Sequence, residues 1–296
     1  MNEERAQVNG IEISYETIGD TSAPALLLVM GLGTQLIHWD RELCELLAAR
    51  GFRVIRFDNR DSGTSTQIDA PVPNLVRGMA GLRMDAPYLL EDMADDDFGL
   101  LDHLEIPAAH VVGASMGGMI AQEMAIRRPE RVLSLTSIMS TTGERRAGRP
   151  KLRVWSVLTR RAPDEKDAYV EHFVRVFRMI GSKGFAADED RVRELAAAAF
   201  ERGHHPAGTG RQLAAIMASG DRTERLREIR VPATVIHGRD DPLVPFRGGV
   251  ATARAIPGAK LIAIEGMGHD IPREVWPEIV EAVVETAGRA AAPAAV

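Results

Sequence analysis

Six short apolar runs, at 25–31, 52–58, 109–115, 132–140, 233–238 and 260–266, constrain this chain more than any other feature. Each is stopped by glycine or a polar turn, and none alternates apolar with polar residues as a half-exposed strand does. Such runs fit strands buried on both faces of a parallel sheet. Residues 7–18 alternate weakly and end in Gly19-Asp20, which predicts an N-terminal hairpin. The hairpin brings the expected sheet to eight strands. Helical patterns lie between the runs at 41–51, 89–105, 119–132 and 275–289. Strand and helix in alternation mean βαβ units and a mostly parallel sheet flanked by helices.

One interval breaks the alternation. From Gly143 to Gly220 the sequence offers helical patches and no convincing strand, too long a stretch for an ordinary crossover. It reads as an inserted helical cap at 143–220, with the core formed by 1–142 and 221–290. The low-complexity end, 291–296, is expected to be disordered.

Composition removes several classes. The chain has 296 residues, 45% hydrophobic, enough for one large α/β core with an insertion. A net charge of −6 speaks against a broad nucleic-acid surface. The one cysteine, Cys44, allows no intrachain disulfide and suits a reducing, cytoplasmic compartment. It lies in a helical pattern and reads as a packing residue. The N-terminus shows no apolar signal region, and no apolar run is long enough to span a membrane.

The stretch VVGASMGG, 111–118, carries the chemistry. Gly113-Ala-Ser115-Met-Gly117 matches G-x-S-x-G directly after a strand and before a helix. In that context the serine is held in a strained corner with its hydroxyl aimed away from the sheet. Gly113 and Gly117 let neighbouring backbone pack against the elbow. A serine hydroxyl needs a base. His269 is singled out among eight histidines by its order: last strand, Gly-rich loop, histidine, closing helix. Asp241 is preferred over Asp240 to hold the imidazole tautomer, with Pro242 fixing its turn. Two backbone N–H groups should face a developing oxyanion, from Met116 after the nucleophile and from Leu32 in the turn after the first buried strand.

Competing readings are weaker. Gly31-Leu-Gly33 is not a dinucleotide motif, because Leu36 stands where a third glycine belongs. His103 and His110 are expected at the surface or as caps, His204-His205 lacks residues to complete a metal site, and His237 ends a strand. Asp92, Asp95, Asp96 and Asp97 read as a solvated helix face. No metal and no cofactor is expected. Segment 145–161 carries seven basic residues and no acidic one, with Leu152, Trp155 and Leu158 among them. It could contact an anionic membrane surface, but a solvated cap surface is the preferred reading.

With these motifs in place, the chain resembles the serine α/β-hydrolases over nearly its whole length. Its 57–66 stretch, FDNRDSGTST, is similar to the family's Asp-x-Arg-Gly-x-Gly-x-Ser turn, with Asp61 where glycine is usual. Gly238-x-x-Asp241-x-x-x-Pro245 and Gly266-x-Gly268-His269 resemble the family's acid turn and histidine loop. The branch it looks most like is that of the aclacinomycin methylesterase-like enzymes and bacterial carboxylesterases. The usual His-Gly pair before the oxyanion donor is Met30-Gly31 here. The resemblance implies an α/β-hydrolase fold, a Ser115–Asp241–His269 triad and a Leu32/Met116 oxyanion hole. It implies hydrolysis of hydrophobic small-molecule carboxylic esters through an acyl-enzyme, without nucleic-acid partners; a homo-oligomer is compatible with it. Carbon–carbon cleavage of meta-cleavage-type products is the alternative, and a hydrolase-fold receptor with little turnover is a third reading. Dehalogenases and epoxide hydrolases of this fold place aspartate where Ser115 stands, which disfavours both.

Overall fold

The computed structural model describes residues 3–80, 82, 84–148, 154 and 161–290. The expected disordered end at 291–296 and most of the basic 145–161 segment lie outside them.

The sheet has eight strands in the order β1-β2-β4-β3-β5-β6-β7-β8. They are Glu4–Val8, Ile11–Ile18, Ala25–Val29, Arg53–Phe57, Ala109–Ala114, Val132–Ile138, Ala233–Gly238 and Lys260–Ile264, numbered β1 to β8. β1 and β2 form the hairpin, and β2 runs antiparallel to β4; from β4 across to β8 every pairing is parallel. The hairpin starts earlier than the sequence pattern suggested. Its turn is Asn9-Gly10, with φ of 48° and 79°, the left-handed pair that matches strand twist.

Eight helices of nine residues or more occur among the described residues: α1 Arg41–Ala49, α2 Leu90–His103, α3 Met116–Arg127, α4 Lys166–Ile180, α5 Glu189–Arg202, α6 Pro206–Ser219, α7 Phe246–Ala255 and α8 Trp276–Gly288. Local chemistry sets their ends. Asp40 caps α1 by accepting the Glu42 N–H, and Gly51 at φ 88° follows its last turn.

The continuous apolar strands bury both faces, except at β8: it is the edge strand, so Lys260 and Leu261 are exposed and only Ile264 is buried, against the expectation for the 260–266 run. On β3, Leu27 and Val29 join one core with α2 and α3, while Leu26 and Leu28 join the other with α1 and α8. Period two thus fills two cores from one strand. Cys44 belongs to the second core, where burial pushes its thiol up to about 12.

Two expectations are corrected here. His110 is not a surface residue: on a central strand both sides are covered, and it is buried with Nδ1 2.8 Å from Ser134 Oγ. The acidic cluster is not a solvated face throughout. Asp96 is buried and paired with Arg60 at 2.6 Å, and Asp97 is fully buried. Burial and the neighbouring Asp96 hold the Asp97 carboxyl well above the usual range.

Between β6 and β7 the described residues include α4, α5 and α6 and no strand. The two ends of this stretch meet. The Arg222 N–H donates to the Thr142 carbonyl at 2.8 Å, and a Cβ on Gly143 would lie 2.1 Å from the Gly220 oxygen. Among the described residues no helix is long and apolar enough to cross a membrane.

Candidate active site

The site gathers at the carboxyl ends of β3, β5, β7 and β8, where open α/β sheets present their loops. Ser115 follows β5 with φ 55° and ψ −117°, a conformation a non-glycine residue keeps only when its surroundings enforce it. They do so through hydrogen bonds. The Ser115 N–H donates to the Ile138 carbonyl at 2.9 Å. The Ser115 carbonyl accepts from Gly118 N, Met119 N and Ser140 Oγ at 3.0, 3.2 and 2.8 Å. The elbow glycines act through contact. A Cβ on Gly113 would sit 2.1 Å from the Gly117 oxygen, and one on Gly117 2.0 Å from the Val29 oxygen.

His269 lies in the loop after β8. Its Nε2 is 2.9 Å from Ser115 Oγ, and its Nδ1 is 2.7 Å from Asp241 Oδ2. An ionised carboxylate only accepts, so Nδ1 carries the proton and Nε2 is the free lone pair facing the hydroxyl. Asp241 is held in turn: its Oδ1 accepts the Leu243 and Val244 N–H groups, both at 2.8 Å. Asp240 is exposed, and its N–H is bonded to Met267. His237 sits behind the acid, 3.6 Å from Asp241 Oδ2, with Nε2–H donating to the Val244 carbonyl at 2.8 Å. Burial pushes its pKa down, which disfavours a second cation beside the carboxylate.

The turn after β3 packs directly against Ser115: a Cβ on Gly31 would lie 3.3 Å from Ser115 Cβ. Its order comes from side chains elsewhere in the chain, in place of the family's histidine. Asn59 Nδ2 donates to the Met30 carbonyl at 3.0 Å, the Gly33 N–H donates to Gln212 Oε1 at 2.8 Å, and Ser62 Oγ donates to the Thr34 carbonyl. Among the described residues no protein group accepts the Leu32 N–H. Met116 opens α3, so its N–H has no preceding turn to bond. Both donors therefore remain available beside Ser115.

Asp61 occupies a left-handed position at φ 67°, which explains the usual glycine there. Its carboxylate accepts the Ile68 N–H at 2.8 Å, the Tyr88 hydroxyl at 2.6 Å and the Arg211 guanidinium at 2.5 Å. Sequence reasoning missed Gln212, Ser140 and Ser182. No spacing rule flags them, because each meets the site only through the fold. Asp270 could have been noticed, since it directly follows His269.

A cavity of about 1680 Å³ opens over Ser115 and His269. The α4 residues Tyr169, His172, Phe173, Val176, Phe177 and Ile180, one helical stripe, line part of it. Among the described residues no group of three or more His, Cys, Asp or Glu side chains is placed to hold a metal.

Comparison with known proteins shows the family and the fold. Residues 24–272 match the family model described as alpha/beta hydrolase fold. The chain is 32% identical over 300 residues to rhodomycin D methylesterase of Streptomyces sp. (strain C5), covering 90% of this chain and 92% of that protein. It is 31% identical to rhodomycin D methylesterase of Streptomyces peucetius, again covering 90% and 92%. The fold matches the enol-lactonase of Burkholderia xenovorans with a TM-score of 0.75 at 24% identity, covering 97% of this chain and 100% of that one. The chain belongs to the α/β-hydrolase fold family.

Proposed function

We propose that this protein hydrolyses carboxylic esters with Ser115 as nucleophile, His269 as general base and acid, and Asp241 as the group that holds the imidazole. The chain is an ester hydrolase of its family, and the hydrogen-bonded line from Asp241 through His269 to Ser115 Oγ carries the residue assignment. As Ser115 Oγ attacks the ester carbonyl, His269 Nε2 takes its proton. Asp241 stabilises the imidazolium without accepting the proton itself. The Leu32 and Met116 N–H groups meet the oxyanion in a site already organised before reaction. His269 then protonates the leaving alcohol and activates water to release the acid.

Within the segment 143–220, helices α4, α5 and α6 serve as the cap over the substrate cavity. That cavity exceeds the roughly 300–1000 Å³ of a drug-sized site. With an aromatic stripe on one wall, it suits an ester with one bulky hydrophobic part. The relatives named rhodomycin D methylesterases support an ester as substrate. A buried single cysteine fits a cytoplasmic enzyme.

The test is Ser115→Ala assayed on p-nitrophenyl esters. Its kcat/KM should fall about 10³-fold or more while the fold is retained. Full activity in that variant, or turnover confined to a dienoic diketone, would overturn the ester-hydrolase assignment.

A further inference from the structure

The loop that carries His269 is built onto the end of a cap helix as well as onto the sheet. The Gly266 carbonyl accepts the Lys183 and Gly184 N–H groups at 3.1 and 2.9 Å. The His269 N–H donates to the carbonyl of Ile180, the last residue of α4, at 2.7 Å. The Gly268 N–H donates to Ser182 Oγ at 2.9 Å. Ser182 in turn donates from both N and Oγ to Asp270 Oδ1, at 2.7 and 2.5 Å. The hydroxyl thus donates once and accepts once, within the capacity of its proton and lone pairs. The backbones touch: a Cβ on Gly184 would lie 2.5 Å from Gly266 Cα, and one on Gly268 2.5 Å from the Gly181 carbonyl carbon.

We propose that Ser182 and Asp270 are a positioning pair, gripping the residues on either side of His269 so that the imidazole is aimed by the cap as well as by the sheet. Neither side chain takes part in the Asp241–His269–Ser115 line of hydrogen bonds. They act through the backbone of 268 and 270, and so on the direction of Nε2 relative to Ser115 Oγ. A small misplacement of a reacting group suffices to slow the chemistry, since about 1 Å can cost about 10²-fold. The same α4 carries the stripe that lines the cavity, so whatever packs against that wall bears on the element that holds the histidine.

This inference rests on the ester-hydrolase reading, and one set of full-length variants separates the two. Ser182→Ala, Asp270→Ala, their double variant and Ser182→Thr are assayed on one p-nitrophenyl ester beside Ser115→Ala, with melting temperatures. Each single alanine variant should lower kcat about tenfold with KM within about twofold, because orientation and not substrate binding is lost. The double variant should be no slower than the worse single one, as expected for two halves of one contact. Ser182→Thr, which keeps the hydroxyl, should recover kcat to within about threefold of the parent.

The pair is overturned by a kcat for Ser182→Ala equal to the parent's, by losses that multiply in the double variant, or by Ser182→Thr as slow as Ser182→Ala. A large drop in melting temperature with unchanged kcat per folded molecule also overturns it, since the role is then structural. If Ser115→Ala keeps activity, the ester-hydrolase reading falls. If that variant is inactive and the Ser182 and Asp270 variants match the parent, only the positioning pair falls.

Discussion

Asp61 sets two effects against each other at one residue. Its left-handed backbone costs roughly 1–2 kcal/mol relative to glycine. Its carboxylate, fully buried, pairs with Arg211, whose side chain is only 7% exposed. Breaking a buried pair by removing one partner costs about 3–5 kcal/mol, so the pair outweighs the strain. Asp61→Gly should therefore lower stability by about 2 kcal/mol in urea unfolding although it restores the family's glycine; a gain in stability would show that the strain dominates. Residues differ in how far sequence reveals them. Ser115, Asp241 and His269 each follow an apolar strand within a few residues, so strand order alone gathers them. Asp61's partners Tyr88 and Arg211 are far away in sequence, and nothing local points to them. Asp97 was legible and misread. It falls at i+4 from Met93 and i−4 from Leu101, inside the apolar stripe of α2, so helical period places it in the core whatever its charge.

Among the elements, the strand–elbow–helix unit of β5 and α3 depends most sharply on its sequence. It holds a non-glycine residue at positive φ by pressing Gly113 and Gly117 onto bare backbone. The neighbour of Gly117 is the Val29 carbonyl of β3, a central strand that has no room to yield. Gly117→Ala should cost on the order of 3 kcal/mol or more, read as a collapse of soluble yield or of melting temperature. A normal melting temperature would mean that the elbow can open. The apolar runs made every core strand legible, because a strand covered on both faces has no polar positions to blur it. The hairpin was less clear, since β1 and the first half of β2 are partly exposed and only the Asn9-Gly10 pair marks their turn.

Over the whole molecule, the helices between β6 and β7 and the two loops beside Ser115 form one hydrogen-bonded assembly. Gln212 of α6 holds the turn that carries Leu32, and Ile180 and Ser182 at the end of α4 hold the loop that carries His269. The sequence announced helices between β6 and β7 through its missing strands, and the described residues there hold α4, α5 and α6. It could not announce these ties, which join residues up to 179 positions apart. The assembly places the Ser115 hydroxyl against the His269 imidazole in a large cavity, so catalysis should proceed through a covalent acyl-serine. The most direct measurement is rapid quench of the enzyme with a p-nitrophenyl ester, followed by intact-mass and peptide mass spectrometry. One acyl group per chain should appear on Ser115, with a matching burst of p-nitrophenol. Turnover of the ester with no adduct in the wild-type enzyme and none in a His269→Ala variant, or an adduct on any other residue, would contradict the mechanism.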